Sequence, residues 1–225
     1  EAGAAYRASL AIRQRLAAAD PSHTDLQRQL SVSYERIGGV LKAQGDLAEA
    51  GAAYRASLAI FERLAAADPS HTGWQSDLSV LDDRIGDLLR TQGDLAGAGE
   101  AYRASLAIRE RLVAIDPGNA GWQRDLWVPR FKMAGVLNSQ GQHDAALAEY
   151  AQALEVAVSM GNRDAERQTP MRRAAAAHLS ANPQSAPGYF ARAGELAGAS
   201  DNREQQAIAL FNLADAQHSA GDIDA

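Results

Sequence analysis

The chain has 225 residues, of which 46% are hydrophobic, 22% charged and 6% aromatic, and its formal net charge is −6. It is apolar enough to bury a core, and with 22 basic against 28 acidic residues it lacks the basic footprint of a nucleic-acid binder. With no cysteine, disulfides and thiolate metal sites are excluded and a reducing, cytoplasmic setting is expected. No apolar run approaches the roughly 18 residues of a membrane span, and no secretory signal pattern is visible at the start.

The opening segment, Glu1 to Ile12, returns almost letter for letter at Glu49 to Ile60 and more loosely at Gly97 to Ile108. Tyr6, Tyr54, Tyr102 and Tyr150 fall 48 residues apart, as do Gly45, Gly93 and Gly141, and the pairs Asp20-Pro21, Asp68-Pro69 and Asp116-Pro117. Self-similarity at a fixed period is the mark of a repeat architecture. Each unit divides into two helices. The first spans about 24–44, with Leu26, Leu30, Ile37 and Leu41 at helical spacing; the second spans about 47–67, with Ala50, Tyr54, Leu58 and Phe61. Thr24 with Gln27, and Thr72 with Gln75, match the capping box at the first helix's start, and Asn119 takes that role in the third unit. Gly45, Gly93 and Gly141 stand where a helix end needs a left-handed residue, and Asp46 and Asp94 follow as N-caps. A two-residue turn forces an antiparallel hairpin, and the residue before each proline closes the second helix. A 21-residue helix is about 32 Å long, so each hairpin is thin and buries its apolar face only by stacking on neighbours.

Further along, Pro129 falls inside the presumed long helix, where earlier units have Ser33 and Leu81, and predicts a kink or a fresh start near Trp127 to Pro129. Residues 162–200 leave the register. They predict a divergent, shorter helical pair, about 163–180 and 185–198, interrupted or bounded at Thr169-Pro170 and Asn182-Pro183. Residues 201–225 predict the start of a further unit. The regular repeats therefore cover 1–161, and the chain is expected to be a piece of a longer array.

Ile37-Gly38, Leu41, Gly45, Ala50, Tyr54 and Ser57 form a pattern that recurs as Ile85-Gly86, Leu89, Gly93, Ala98, Tyr102 and Ser105. It recurs again as Met133-Ala134, Leu137, Gly141, Ala146, Tyr150 and Ala153; Leu213-Ala214, Gln217 and Gly221 match its first half. This pattern resembles the tetratricopeptide repeat (TPR), with helices longer than the usual 34-residue unit, as in kinesin light chains and the arrays attached to bacterial signalling ATPases and caspase-like proteases. The resemblance implies an all-α, right-handed solenoid of helical hairpins with a 48-residue period, whose first helices line a concave face.

Candidate chemistry is sparse. No phosphate-cradling Gly-rich loop and no paired histidines at ligand spacing are present. His23 and His71 share a repeat position in a helix-joining turn, as either a metal ladder or polar turn residues; His143, His178 and His218 complete the set. Ser9, Ser57 and Ser105 recur without a base nearby, at a place where the repeat wants a small packing residue. No enzyme, cofactor or metal is expected. On the concave face, counted from Ile37, lie Val32, Glu35, Arg36, Gly39, Lys42 and Ala43. One column down the array is Arg36, Arg84, Lys132 and another is Lys42, Arg90, Asn138. Such columns clamp carboxylates or form a solvated face, with Arg84 and Arg90 each three residues from Asp87. Arg7, Arg55 and Arg103 make a further basic column on the second helices. Trp74 and Trp122 share a position as exposed anchors or as caps between units. Trp127 and Phe131 replace polar residues of earlier units, as a groove feature or as residues covered by 162–200.

The expected function is a protein–protein interaction scaffold that takes a peptide or a partner domain, an acidic one by charge, within a larger bacterial sensor or signalling protein. Arg36, Lys42, Arg84, Arg90 and Lys132 would make its groove contacts, with Phe131 as an apolar one. The alternative is a structural spacer that self-associates through the array ends. Neither nucleic acid nor membrane is an expected partner.

Overall fold

The structure, a computed structural model, describes residues 2–179, 186–199, 206 and 208–213. Every regular element among them is helical. The chain divides into two compact units, Glu1–Asp116 and Pro117–Ala225.

The first unit holds α1 (Ala2–Ala19), α2 (Thr24–Gln44), α3 (Leu47–Ala67), α4 (Thr72–Thr91) and α5 (Leu95–Ile115), each packed on the next. The bounds of α2 and α3 are those expected. Gly45 and Gly93 end α2 and α4 at φ +89° and +83°, and each following aspartate amide closes the turn onto Leu41 or Leu89. Asp94 caps α5 by accepting from the Gly97 amide at 2.9 Å. Asp46 occupies the same position without a side-chain cap.

The capping boxes are a correction. Thr24 and Thr72 lie inside their helices, and the caps are His23 and His71, whose Nδ1 atoms accept from the Leu26 amide at 3.4 Å and the Trp74 amide at 3.2 Å. An imidazole nitrogen can stand in for the usual hydroxyl because it too presents an acceptor lone pair three residues ahead of an unsatisfied amide. His71 also stacks on Trp74, ring centroids 3.9 Å apart.

The core of the first unit runs through Leu30, Ile37, Leu41, Tyr54, Phe61, Leu64, Trp74, Leu81 and Leu88. The recurring pitch of tyrosine and glycine is steric. The Tyr54 ring lies so close to Gly38 that an added Cβ would stand 2.6 Å from it, and Tyr102 lies likewise at 2.5 Å over Gly86. These glycines let the two helices of each hairpin close on the ring. Between α2 and α3, Ser31 and Ser57 donate to each other's carbonyl at 2.9 and 3.0 Å, so Ser57 is a satisfied packing residue, whereas its counterpart Ser105 is equally buried with its hydroxyl unpartnered.

The second unit holds α6 (Ala120–Asp125), α7 (Trp127–Ser139), α8 (His143–Ser159), α9 (Arg163–Leu179) and α10 (Ala186–Ala199). Asn119 caps α6, accepting from Gly121 and Trp122 at 3.1 Å. The break between α6 and α7 falls at Leu126, where Pro129 foretold a fresh start: Pro129 occupies α7's first turn, in which a missing N–H costs nothing. Gly141 and Gly161 end α7 and α8 at φ +76° and +60°. Pro170 is a second correction. It neither interrupts nor bounds a helix but lies within α9, fully buried, next to Thr169, whose hydroxyl donates to the Ala165 carbonyl at 2.7 Å. Asn182-Pro183, the side chains of His178 and His218, and most of the expected further unit at 201–225 lie outside the described residues.

Candidate functional site

In the first unit, α2 and α4 present equivalent faces, and four of the expected groove residues stand on them. Arg36, Arg84 and Arg90 are exposed and Lys42 is half-buried. Arg36 and Arg84 meet in one concavity of about 400 Å³, together with Glu35, Gly39, Ala43 and Tyr54. The expected neutralisation of Arg84 by Asp87 is corrected. Arg84 pairs with Glu35 of the neighbouring hairpin at 3.5 Å, while Asp87 accepts from the Tyr102 hydroxyl at 2.8 Å. Arg90 hydrogen-bonds that same tyrosine.

The hydroxyls beneath this face are tuned by it. Burial pushes Tyr54 above the usual phenol range; Arg84 opposes the shift, while Glu35 and Asp87 add to it. Burial, then the hydrogen bond to Asp87, pushes Tyr102 the same way. Both phenols therefore stay protonated donors. The cluster Arg36, Arg84, Lys42 and Arg90 against Glu35 and Asp87 leaves this face net positive on an acidic chain.

Lys132 and Phe131 belong to the second unit. Lys132 is half-buried. Phe131 stacks on Trp127 at 4.9 Å, meets Tyr150 edge-on at 5.6 Å, and joins the cluster of Ala134, Ala146 and Ala176. The Trp127 indole donates to Thr169 at 3.3 Å, so α9 covers this aromatic pair. Trp74 is 9% exposed and sits in the core, not on a binding face.

Sequence reasoning missed a buried ion pair. Arg109 donates to Asp83 at 2.7 Å and to the Ser79 hydroxyl at 3.2 Å, with both ionic side chains under 8% exposed. A signal existed: Arg109 falls on the position of Phe61, and Asp83 on that of Glu35. Beside it, desolvation, then Asp83 and Glu62, raise Asp82 to about 7, against the pull of Arg109. Among the described residues no cluster of three metal-ligating side chains occurs, and no helix is long and apolar enough to cross a membrane.

No protein-family model matches the chain, and no curated protein matches it in sequence. Solved structures do match. The apo form of RapI superposes with a TM-score of 0.68 at 14% identity, covering 85% of this chain and 64% of that one. A putative kinesin light chain of nearly identical TPR-like repeats from Podosopora anserina gives 0.64 at 14%, covering 88% and 89%. A Rap protein complexed with Competence and Sporulation Factor gives 0.57 at 16%, covering 88% of this chain and half of its own length. This chain thus spans less than two thirds of either Rap structure. Helices packed in adjacent pairs, glycine-ended hairpin turns, tyrosine rings seated on small residues and these superpositions agree: the chain has the fold of a tetratricopeptide-type helical repeat protein.

Proposed function

We propose that the chain is a protein-interaction scaffold whose first unit binds an extended acidic segment of a partner, as one module of a larger bacterial signalling protein. The observation that carries this reading is the concavity between α2 and α4. It is floored by Gly39 and Ala43 and rimmed by Arg36 and Arg84, and only one of these guanidiniums is engaged by Glu35. Charge-assisted hydrogen bonds from such a rim favour carboxylates, and a helical scaffold holds the rim in place at little entropic cost. A Rap protein of this fold has been captured with its factor, which supports a binding role without naming a ligand here. The double variant Arg36→Glu/Arg84→Glu is expected to lose partners from a pull-down while keeping its helicity by circular dichroism. Equal recovery by variant and wild type would end the basic-rim reading.

A second reading, stacking of arrays end to end, draws on α1. Tyr6, Ile12 and Leu16 are 38%, 51% and 48% exposed, whereas Tyr54, Ile60 and Leu64 at the same repeat positions are buried. Sedimentation coefficients that rise with concentration would favour it, and concentration-independent ones would remove it.

A further inference from the structure

Two faces of the chain stop half-way through the pattern that buries their counterparts. On α1, Tyr6, Ile12 and Leu16 are exposed, while Tyr54, Ile60 and Leu64 at the same repeat positions are buried in the hairpin that α3 makes with α2. In the second unit, the helical segment 208–213 sits on α10 beside Gly194 through the fully buried Ala209, and turns Leu210 and Phe211 outward, 53% and 74% exposed. Phe211 follows Phe131 by the same 80 residues that separate Gly221 from Gly141. Phe131 has a cover: α8 packs on α7 and brings Tyr150 edge-on at 5.6 Å. Tyr150 in turn stands in the register of Tyr6. The segment 208–213 is thus a first-helix face without a second helix over it, and α1 a second-helix face without a first. A repeat surface that stays in water carries a polar outer side; these two are apolar.

Their charges are opposite. α1 holds Arg7, Arg13 and Arg15 and no acidic residue, with Gln14 where α3 has Glu62 and α5 has Glu110. Residues 201–225 hold five acidic residues against one arginine.

We propose that α1 docks on the 208–213 face of a second copy of this chain, so that two half-hairpins from different copies complete one. Tyr6 then meets Phe211 of the second copy as Tyr150 meets Phe131, and the cationic helix lies against an acidic stretch. Pairing α1 with α1, or 208–213 with itself, sets like charges together and leaves each aromatic without its register partner. The contact is heterologous: every copy offers one face and uses the other, and association runs head to tail into a ring or a filament. This pairing rests on the end-to-end reading above and gives it two named faces and an orientation.

The test uses two blocked variants of the whole chain. Ile12→Glu/Leu16→Glu disables the α1 face and Leu210→Glu/Phe211→Glu the 208–213 face; all four positions are exposed, and circular dichroism checks that each variant folds. Should either lose helicity, the single changes Leu16→Gln and Phe211→Gln carry the same comparison. In sedimentation, the wild type is expected to rise with concentration to the mass of two chains and beyond. Either variant alone should self-associate about thirtyfold more weakly, because every contact needs both faces. An equimolar mixture of the two should regain association and stop at the mass of two chains, since each variant keeps the face that the other has lost. A variant blocked at 208–213 that still dimerises shows α1 on α1, and one blocked at α1 that still dimerises shows 208–213 on itself. Either result, or a mixture that stays at the mass of one chain, overturns the pairing while end-to-end association stands. A wild type that sediments as one chain at every concentration overturns both and leaves the two faces to a different partner.

Discussion

The hairpins α2–α3 and α4–α5 share a backbone plan and much of their sequence, yet their polar interiors are wired differently. α3 and α5 agree at 16 of 21 positions, and in both a tyrosine ring sits on a glycine. In the first hairpin the seam between helices is closed by the reciprocal Ser31–Ser57 pair beside an apolar Phe61. In the second, Arg109 replaces that phenylalanine and reaches back to Ser79 and Asp83. One buried position changed from ring to guanidinium thus pulls a carboxylate inward: Glu35 faces the concave side to meet Arg84, whereas Asp83 is buried. The lesson is that the repeat fixes where side chains go, and single exchanges decide whether a given site is core, ion pair or open cavity.

The contrast can be broken most strongly at Arg109. Arg109→Ala removes the guanidinium that neutralises Asp83 in a site under 8% exposed, and the expected loss is about 3–5 kcal/mol. Phe61→Ala in the sister hairpin should cost a similar ~3–5 kcal/mol, by loss of contact instead of charge. A double variant with apolar residues at 83 and 109 should recover most of the Arg109→Ala loss, since an ion pair of this kind is not needed for stability itself. Urea unfolding of the three variants checks this, and an Arg109→Ala loss no larger than that of an exposed arginine would sink it.

A smaller effect is expected from pH. Asp82, whose counterpart in the first hairpin is the uncharged Tyr34, is raised from the ordinary 3.8 to about 7. The folded state therefore holds this proton more tightly than the unfolded chain. Stability should fall as pH rises from about 4 through 7, and stay lower above it, where a carboxylate near Asp83 and Glu62 must ionise in place. Asp82→Asn should flatten that slope in unfolding measured at pH 5 and pH 8; an equally sloped variant would reassign it to other groups.

The smallest contrast lies at the caps. His71→Ala should cost about 1 kcal/mol, and more than His23→Ala, because His71 makes the shorter hydrogen bond and also stacks on Trp74. Thermal unfolding with the two variants in the reverse order would show that the ring stacking contributes nothing.

What the sequence disclosed follows from the same contrast. Helix spans, glycine ends and the restart at Pro129 were legible because they depend on local chemistry: a left-handed turn needs glycine, and a proline at a helix's first turn forfeits no hydrogen bond. His23 and His71 were legible as turn residues but not as caps, since Thr24 and Thr72 beside them are the commoner acceptors. The partner of Arg84 was misjudged because spacing along one helix points to Asp87, whereas Glu35 approaches across the hairpin interface, a contact set by packing. Pro170 was read as a breaker because a lone proline usually is one; its burial within α9 depends on surroundings no local pattern encodes. That Tyr54 lacks the aspartate that Tyr102 has beside it could be seen only by laying the hairpins over one another and finding glycine opposite aspartate.

The three tryptophans are distributed unequally. Trp74 is the lone indole of the first unit, packed face to face on His71 in its core, whereas Trp122 and Trp127 both belong to the second. The double change Trp122→Phe/Trp127→Phe therefore leaves a chain whose entire indole emission comes from the scaffold around the proposed groove. Fluorescence of that chain would follow the unfolding of residues 1–116 in isolation, with the second unit still attached and optically silent.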